Sequence, residues 1–206
     1  MVVTSEQVGE KLNIYRAEAR DNASGKHEYK KTMRPPVNVP YVVDNLWEWK
    51  RPEGFPSRRL SVYASPSPTL ARKLGTKGSD VFLVKFARRC KLAQVIGYED
   101  SKEHPDCRNL RKLLLKSLGQ EWIDGSMTQK ERAGRLWLPC LSKDEVESLF
   151  REVDILKRLR DRVFEAVTYW NDVILLKDGE GIPDPNGEVF FEAEHGYKLV
   201  PLRQAD

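Results

Sequence analysis

The chain reads as an α+β protein on three observations: alternating apolar and polar residues dominate its first half, helical periodicity dominates its middle, and alternation returns near its end. With 206 residues, 40% of them hydrophobic and 32% charged, it can fill one core, and residues 1–206 are expected to form a single domain.

Residues 12–17 alternate and predict a first strand, with Arg16 turned away from the core-facing side chains. A polar stretch from 20 to 33 leads into Arg34-Pro-Pro-Val-Asn-Val-Pro40, whose prolines exclude helix and predict a loop or lid. Residues 41–49 predict a short helix with an aromatic face, ended by the Pro and Gly of the 51–56 segment. The 60–64 segment is a strand by alternation and β propensity, and Ser65-Pro-Ser67-Pro68 follows it at once. A helical turn over 69–74 is expected to stop at Gly75, and residues 81–86 and 92–96 predict two further strands.

In the middle, Leu110, Leu113, Leu114 and Leu118 share one helical face, with Gly119 expected to end that helix. Ser142 with Glu145 is a capping box opening a long helical pattern from Val146 to Trp170, whose leucines read as core. A turn-rich loop over 177–187 precedes segments 188–194 and 197–202, expected to close the fold as a pair of strands. That loop lacks the GxxxxGK[ST] spacing of a phosphate-binding P-loop.

Net charge is +4, unevenly placed. From Lys26 to Lys91 fifteen Lys/Arg face five Asp/Glu, a local excess of +10, and the rest carries −6. Such a basic half attracts phosphate, whether in a dinucleotide or a nucleic acid, and is equally the mark of a solvated basic face. Cys90, Cys107 and Cys140 fit neither a disulfide framework nor a CxxC clip, and His27, His104 and His195 are scattered, so no metal is expected. No run approaches the ~18 apolar residues of a bilayer span. The first residues lack a secretory signal's order, so the expected location is cytoplasmic, in the chain's own cell or in a target cell after delivery.

Three features each lie on or beside a predicted strand: Tyr15-Arg16, then Tyr63-Ala-Ser65-Pro-Ser67, then Glu188 behind a long loop. Their order resembles the toxin-like Arg-Ser-Glu class of ADP-ribosyltransferases, over about residues 12–202. The resemblance implies a split two-sheet α+β core with helices inserted before the last strands, and NAD as co-substrate. In it Arg16 matches the arginine on the NAD phosphates or adjoining ribose, a task for a forked, permanent cation. Ser65 and Ser67 match the two serines of the Ser-x-Ser segment, with proline between them where threonine is usual; Ser-Pro-Ser-Pro is also ordinary turn chemistry, with Ser67 or Thr69 as helix cap. Tyr63 matches the aromatic residue beneath the site.

Glu188 matches the catalytic glutamate, which stabilises oxocarbenium charge as nicotinamide leaves. Glu192 and Glu194 form a lesser Glu-x-Glu match. Asn186 stands two residues before Glu188, where arginine-modifying relatives carry Glu and others Gln, so the acceptor stays open; Asp184 and Asn186 belong to the implied acceptor loop. The 33–56 segment would cover the cofactor, and Trp47, Trp49 and Phe55 suit either the core or stacking on nicotinamide, adenine or a base.

The resemblance implies mono-ADP-ribosylation of a protein or nucleic acid by a toxin or effector, neutralised by an acidic antitoxin or immunity protein. NAD hydrolysis is the second reading, and a non-catalytic nucleic-acid-binding module the third, although no helix-turn-helix, RNA-recognition or zinc-finger pattern is present.

Overall fold

The structure, a computed structural model, describes residues 12–23, 25–28, 32–88, 90–124, 126–177 and 181–202. The predicted stretches at 1–11, 29–31 and 178–180 lie outside these, and so do the side chains of 120–124.

Eight strands and seven α-helices are found among the described residues. In chain order they are β1 (Tyr15–Glu18), β2 (Lys26–His27), α1 (Tyr41–Lys50), β3 (Val62–Ala64), α2 (Pro68–Leu74), β4 (Asp80–Phe86) and β5 (Lys91–Val95). There follow α3 (Asp106–Asp124), α4 (Met127–Gly134), α5 (Lys143–Glu152), α6 (Asp154–Lys157), α7 (Arg160–Ala166), β6 (Val173–Leu175), β7 (Val189–Glu192) and β8 (Tyr197–Pro201). The α+β class holds: the strands form two antiparallel four-stranded sheets, ordered β1-β4-β8-β2 and β3-β7-β5-β6.

By proximity the chain divides into two compact units, one made of Met1–Thr32, Gly54–Ser101 and Asp172–Asp206, the other of Met33–Glu53 and Lys102–Asn171. The first unit holds both sheets. Alternation turns Ile14, Phe82, Val84, Tyr197 and Leu199 of one sheet, and Val62, Ala64, Leu92, Val189 and Phe191 of the other, into a single buried cluster. Each large apolar side chain so buried contributes about 1.5–3 kcal/mol.

Helices make up the second unit. Its core joins Val43, Leu46 and Trp47 of α1 to Leu110 and Leu114 of α3 and to Val146 and Phe150 of α5. Asp106 is its polar centre: the buried carboxylate accepts Trp47 Nε1–H at 2.9 Å, Thr168 N–H at 3.0 Å, Tyr169 N–H at 3.0 Å and the Thr168 hydroxyl at 2.7 Å. Trp47 stacks on Tyr169 with ring centroids 4.0 Å apart, and Trp49 on Phe150 at 4.7 Å. Both tryptophans are therefore core residues, not platforms for a ligand ring.

Several sequence expectations need correction. Gly119 does not end α3, which runs on to Asp124 and absorbs the glycine's cost of about 1 kcal/mol. Ser142 and Glu145 do form the capping box, but the pattern beyond it breaks three times. Val153 takes extended angles (φ −101°, ψ 110°) between α5 and α6, a turn at Arg158 and Leu159 separates α6 from α7, and Val167 is extended again (φ −75°, ψ 108°) after α7. The buried stripe survives because each short helix restarts with its apolar face inward. β2 and β6, too short to show alternation, were not expected.

The closing strands do not pair with each other: β7 lies between β3 and β5, whereas β8 lies between β4 and β2. Gly196, at φ 79°, makes the turn that sends the chain from one sheet to the other, and a Cβ there would sit 2.4 Å from the His27 carbonyl oxygen.

Candidate active site

Arg16, Tyr63, Ser65, Ser67, Asp184, Asn186 and Glu188 all belong to the sheet unit. β1 and β3 come from different sheets, yet Tyr15 and Ser65 form an antiparallel bridge between them. Along β3 and β7, Tyr63 faces Phe190 and Ala64 faces Val189. That ladder ends there: Ser65 and Glu188 are the next residues on the two segments, with the Ser65 main chain bonded to Tyr15 and the Glu188 main chain to Tyr98 and Val95. The Ser65 side chain has no hydrogen-bond partner among the described residues, while its main chain is fully engaged with Tyr15.

Glu188 is held from one side only. Its Oε2 accepts from Arg58 Nη1 at 3.1 Å and from the Ser101 hydroxyl, and Arg58 Nη1 also donates to Ser101 Oγ at 2.7 Å. Its Oε1 has no donor among the described residues. The ion pair is enclosed, with Arg58 7% and Glu188 12% exposed. The Arg58 guanidinium lies over Tyr63, 5.0 Å from the ring centroid, and 5.4 Å from that of Phe190. The Tyr63 hydroxyl donates to the Arg58 carbonyl at 2.9 Å, which accounts for an aromatic residue at this place. Neither Arg58 nor Ser101 stood out in the sequence; the nearest signal was two adjacent arginines after Phe55-Pro-Ser.

Arg16 reaches the main chain of β3. Its Nη1 donates to the Tyr63 carbonyl at 2.8 Å, and its Nε and Nη2 donate to Glu18 Oε2 at 3.1 and 2.9 Å. Burial pushes the Glu18 carboxyl up, but the charge and hydrogen bonds of Arg16, with help from Asn22 and Ala19, outweigh it and hold the group below its ordinary value. Three of the five guanidinium N–H groups are engaged, so two stay open to an anion. Alternation places Arg16 on the face of β1 opposite Tyr15, and no hydrogen bond or ion pair joins it to Glu188 among the described residues.

Ser67 is engaged elsewhere. Its hydroxyl caps α2 by accepting Leu70 N–H at 3.2 Å, with Pro68 in the first turn, so the capping role read from the sequence is the one it performs.

The loop before Glu188 is pinned to β5. Buried Gln94 donates to the carbonyls of Asp184 (2.6 Å) and Gly187 (3.1 Å) and accepts Asp184 N–H at 3.2 Å. The Asp184 carboxylate accepts Gly97 N–H at 2.7 Å and Asn186 N–H at 2.8 Å, so it serves the loop itself, while Asn186 is exposed. Glu192 is buried, accepts Ser57 N–H and lies 3.8 Å from Lys91, whereas Glu194 sits in an exposed turn. Neither shares the setting of Glu188.

Among the described residues no cluster of three or more His, Cys, Asp or Glu side chains could hold a metal ion, and no helix is long and apolar enough to cross a membrane. No protein-family model, curated protein or solved structure matches the chain.

Proposed function

We propose that the chain cleaves NAD at the bond between nicotinamide and ribose and transfers ADP-ribose to a macromolecular acceptor, protein or nucleic acid. The observation that carries this reading is the Glu188 carboxylate, pinned through one oxygen and open at the other just past the end of the β3–β7 ladder, with the uncommitted Ser65 hydroxyl on the residue that follows β3. A purely structural ion pair gains nothing from the open oxygen. A carboxylate that must meet a ribose 2′-hydroxyl needs one, and needs it fixed.

In this mechanism Glu188 Oε1 accepts the 2′-hydroxyl and Ser65 holds the same ribose. The C1′–N bond breaks with its electron pair going to nicotinamide, which departs neutral, so no acid is required on that side. Carboxylate charge offsets the oxocarbenium charge as it develops. The acceptor's nucleophile then bonds to C1′ and releases its proton to solvent. The two open N–H groups of Arg16 suit the pyrophosphate.

Hydrolysis to free ADP-ribose is a second reading, favoured by the Asp184 carboxylate being turned into its own loop, where it is not offered to an acceptor's nucleophile. The test is nicotinamide release from labelled NAD by wild type and Glu188→Gln, with cell extract present. Release by wild type alone, with label on macromolecules, supports transfer, and release without label supports hydrolysis. Equal release by both proteins removes Glu188 from the chemistry, and none by wild type ends the NAD reading.

A further inference from the structure

Arg58 lies outside every motif that singles out Arg16, Ser65 and Glu188, yet with Ser101 it is what touches the Glu188 carboxylate. Resting on the NAD reading above, we infer that Arg58 and Ser101 are positioning residues that aim Glu188: they fix Oε2 and thereby present Oε1 to the ribose.

A carboxylate on a free Glu side chain rotates about its last bond and interchanges its oxygens. Here Arg58 Nη1 and the Ser101 hydroxyl both donate to Oε2 and are joined to each other at 2.7 Å, closing a three-membered hydrogen-bonded ring that such rotation would have to break. Arg58 is itself immobilised, being buried over the Tyr63 and Phe190 rings while its carbonyl receives the Tyr63 hydroxyl. The support therefore runs from rigid sheet to ring stack to guanidinium to carboxylate. It starts from Tyr63 and Phe190, which face each other across β3 and β7 on the strand segments leading to Ser65 and Glu188.

The planar guanidinium lying over the Tyr63 and Phe190 rings, with Nη1 donating to both Ser101 and Glu188, is a shape that the ammonium of lysine does not reproduce, so lysine is a poor substitute. Aim affects the rate of the bond-breaking step far more than the binding of NAD, which other groups hold.

The experiment measures kcat and KM for nicotinamide release by the full chain carrying Arg58→Ala, Arg58→Lys or Ser101→Ala, beside wild type. Expected are a fall in kcat of about 100-fold for Arg58→Ala and about 10-fold for Ser101→Ala, with KM for NAD within about twofold. Millimolar guanidinium, far below denaturing concentrations, should restore part of the Arg58→Ala rate, which a merely structural defect would not allow. Unchanged kcat in a folded Arg58→Ala protein, or a loss that falls on KM and is not rescued, overturns the inference while the NAD reading stands. If Arg58→Ala does not fold, Ser101→Ala decides alone by the same split. No turnover by wild type ends both.

Discussion

Tyr15 and Ser65 exchange a pair of main-chain hydrogen bonds, 2.8 Å from Tyr15 N–H to the Ser65 carbonyl and 2.7 Å from Ser65 N–H to the Tyr15 carbonyl. Two sheets with separate strand orders meet at this pair, and Arg16, next to Tyr15, reaches across it to the Tyr63 carbonyl.

Because the bridge is made by main chain, Ser65→Ala keeps it and Ser65→Pro cannot. We expect Ser65→Ala to lower nicotinamide release about tenfold with a thermal midpoint near that of wild type. Ser65→Pro removes the N–H that bonds Tyr15 and should destabilise by about 3 kcal/mol. Thermal unfolding of the two variants checks this, and equal midpoints would contradict the bridge's role.

Gly187 has no room for a side chain, since a Cβ would lie 2.1 Å from the Val95 carbonyl oxygen and 3.1 Å from Gln94 Nε2. Gly187→Ala must push the loop off β5, costing stability by about 2 kcal/mol and displacing Glu188 next to it. Urea unfolding and nicotinamide release should fall together, and a variant of normal stability and rate would show that the loop yields without cost.

Asp106 anchors the helical unit through four donors. Asp106→Ala strands them in a buried site, for an expected loss of about 3–5 kcal/mol in denaturant unfolding. Asp106→Asn should recover part of it, because the remaining carbonyl still accepts. A loss under about 1 kcal/mol for the alanine variant would mean that water or rearrangement satisfies the donors.

Glu147 accepts from Arg160 at 3.0 and 3.1 Å and from Trp49 Nε1 at 2.8 Å. The Arg160 hydrogen bonds lead in holding its carboxyl below the ordinary value of 4.5, against the opposing effect of burial and with help from Trp49 and from Arg160 and Arg151 charge. A depressed folded-state value means that the unfolded chain binds the proton more readily. The contribution is therefore complete above about 4.5 and disappears as pH falls through the folded value. Both side chains are well exposed, so the effect is small. Wild type should melt above Glu147→Gln at neutral pH and converge with it in acid; a gap unchanged in acid would contradict the pairing.

Strands with clear alternation were legible from sequence, as were the capping box at Ser142 and the helical turn after Ser67, because each is set by local chemistry. What escaped was set by distant partners. The apolar stripe from Val146 to Trp170 has one period whether its helix is whole or in pieces, and only the backbone, extended at Val153 and Val167, reveals the breaks. β7 and β8 look like a hairpin, yet each finds better partners in a different sheet. At the site, the order of motifs pointed to Glu188 at the start of a late strand, but Arg58 and Ser101, which touch its carboxylate, arrive from segments that no spacing rule connects to it.

The passage of the chain from β7 to β8 through the turn ending at Gly196 constrains that one position more tightly than its neighbours. Exposed Glu194 and His195 at its tip have room for other side chains, but Gly196 packs its bare Cα against the His27 main chain of β2. Any side chain at Gly196 should therefore be far more damaging than an exchange of the two surface residues before it.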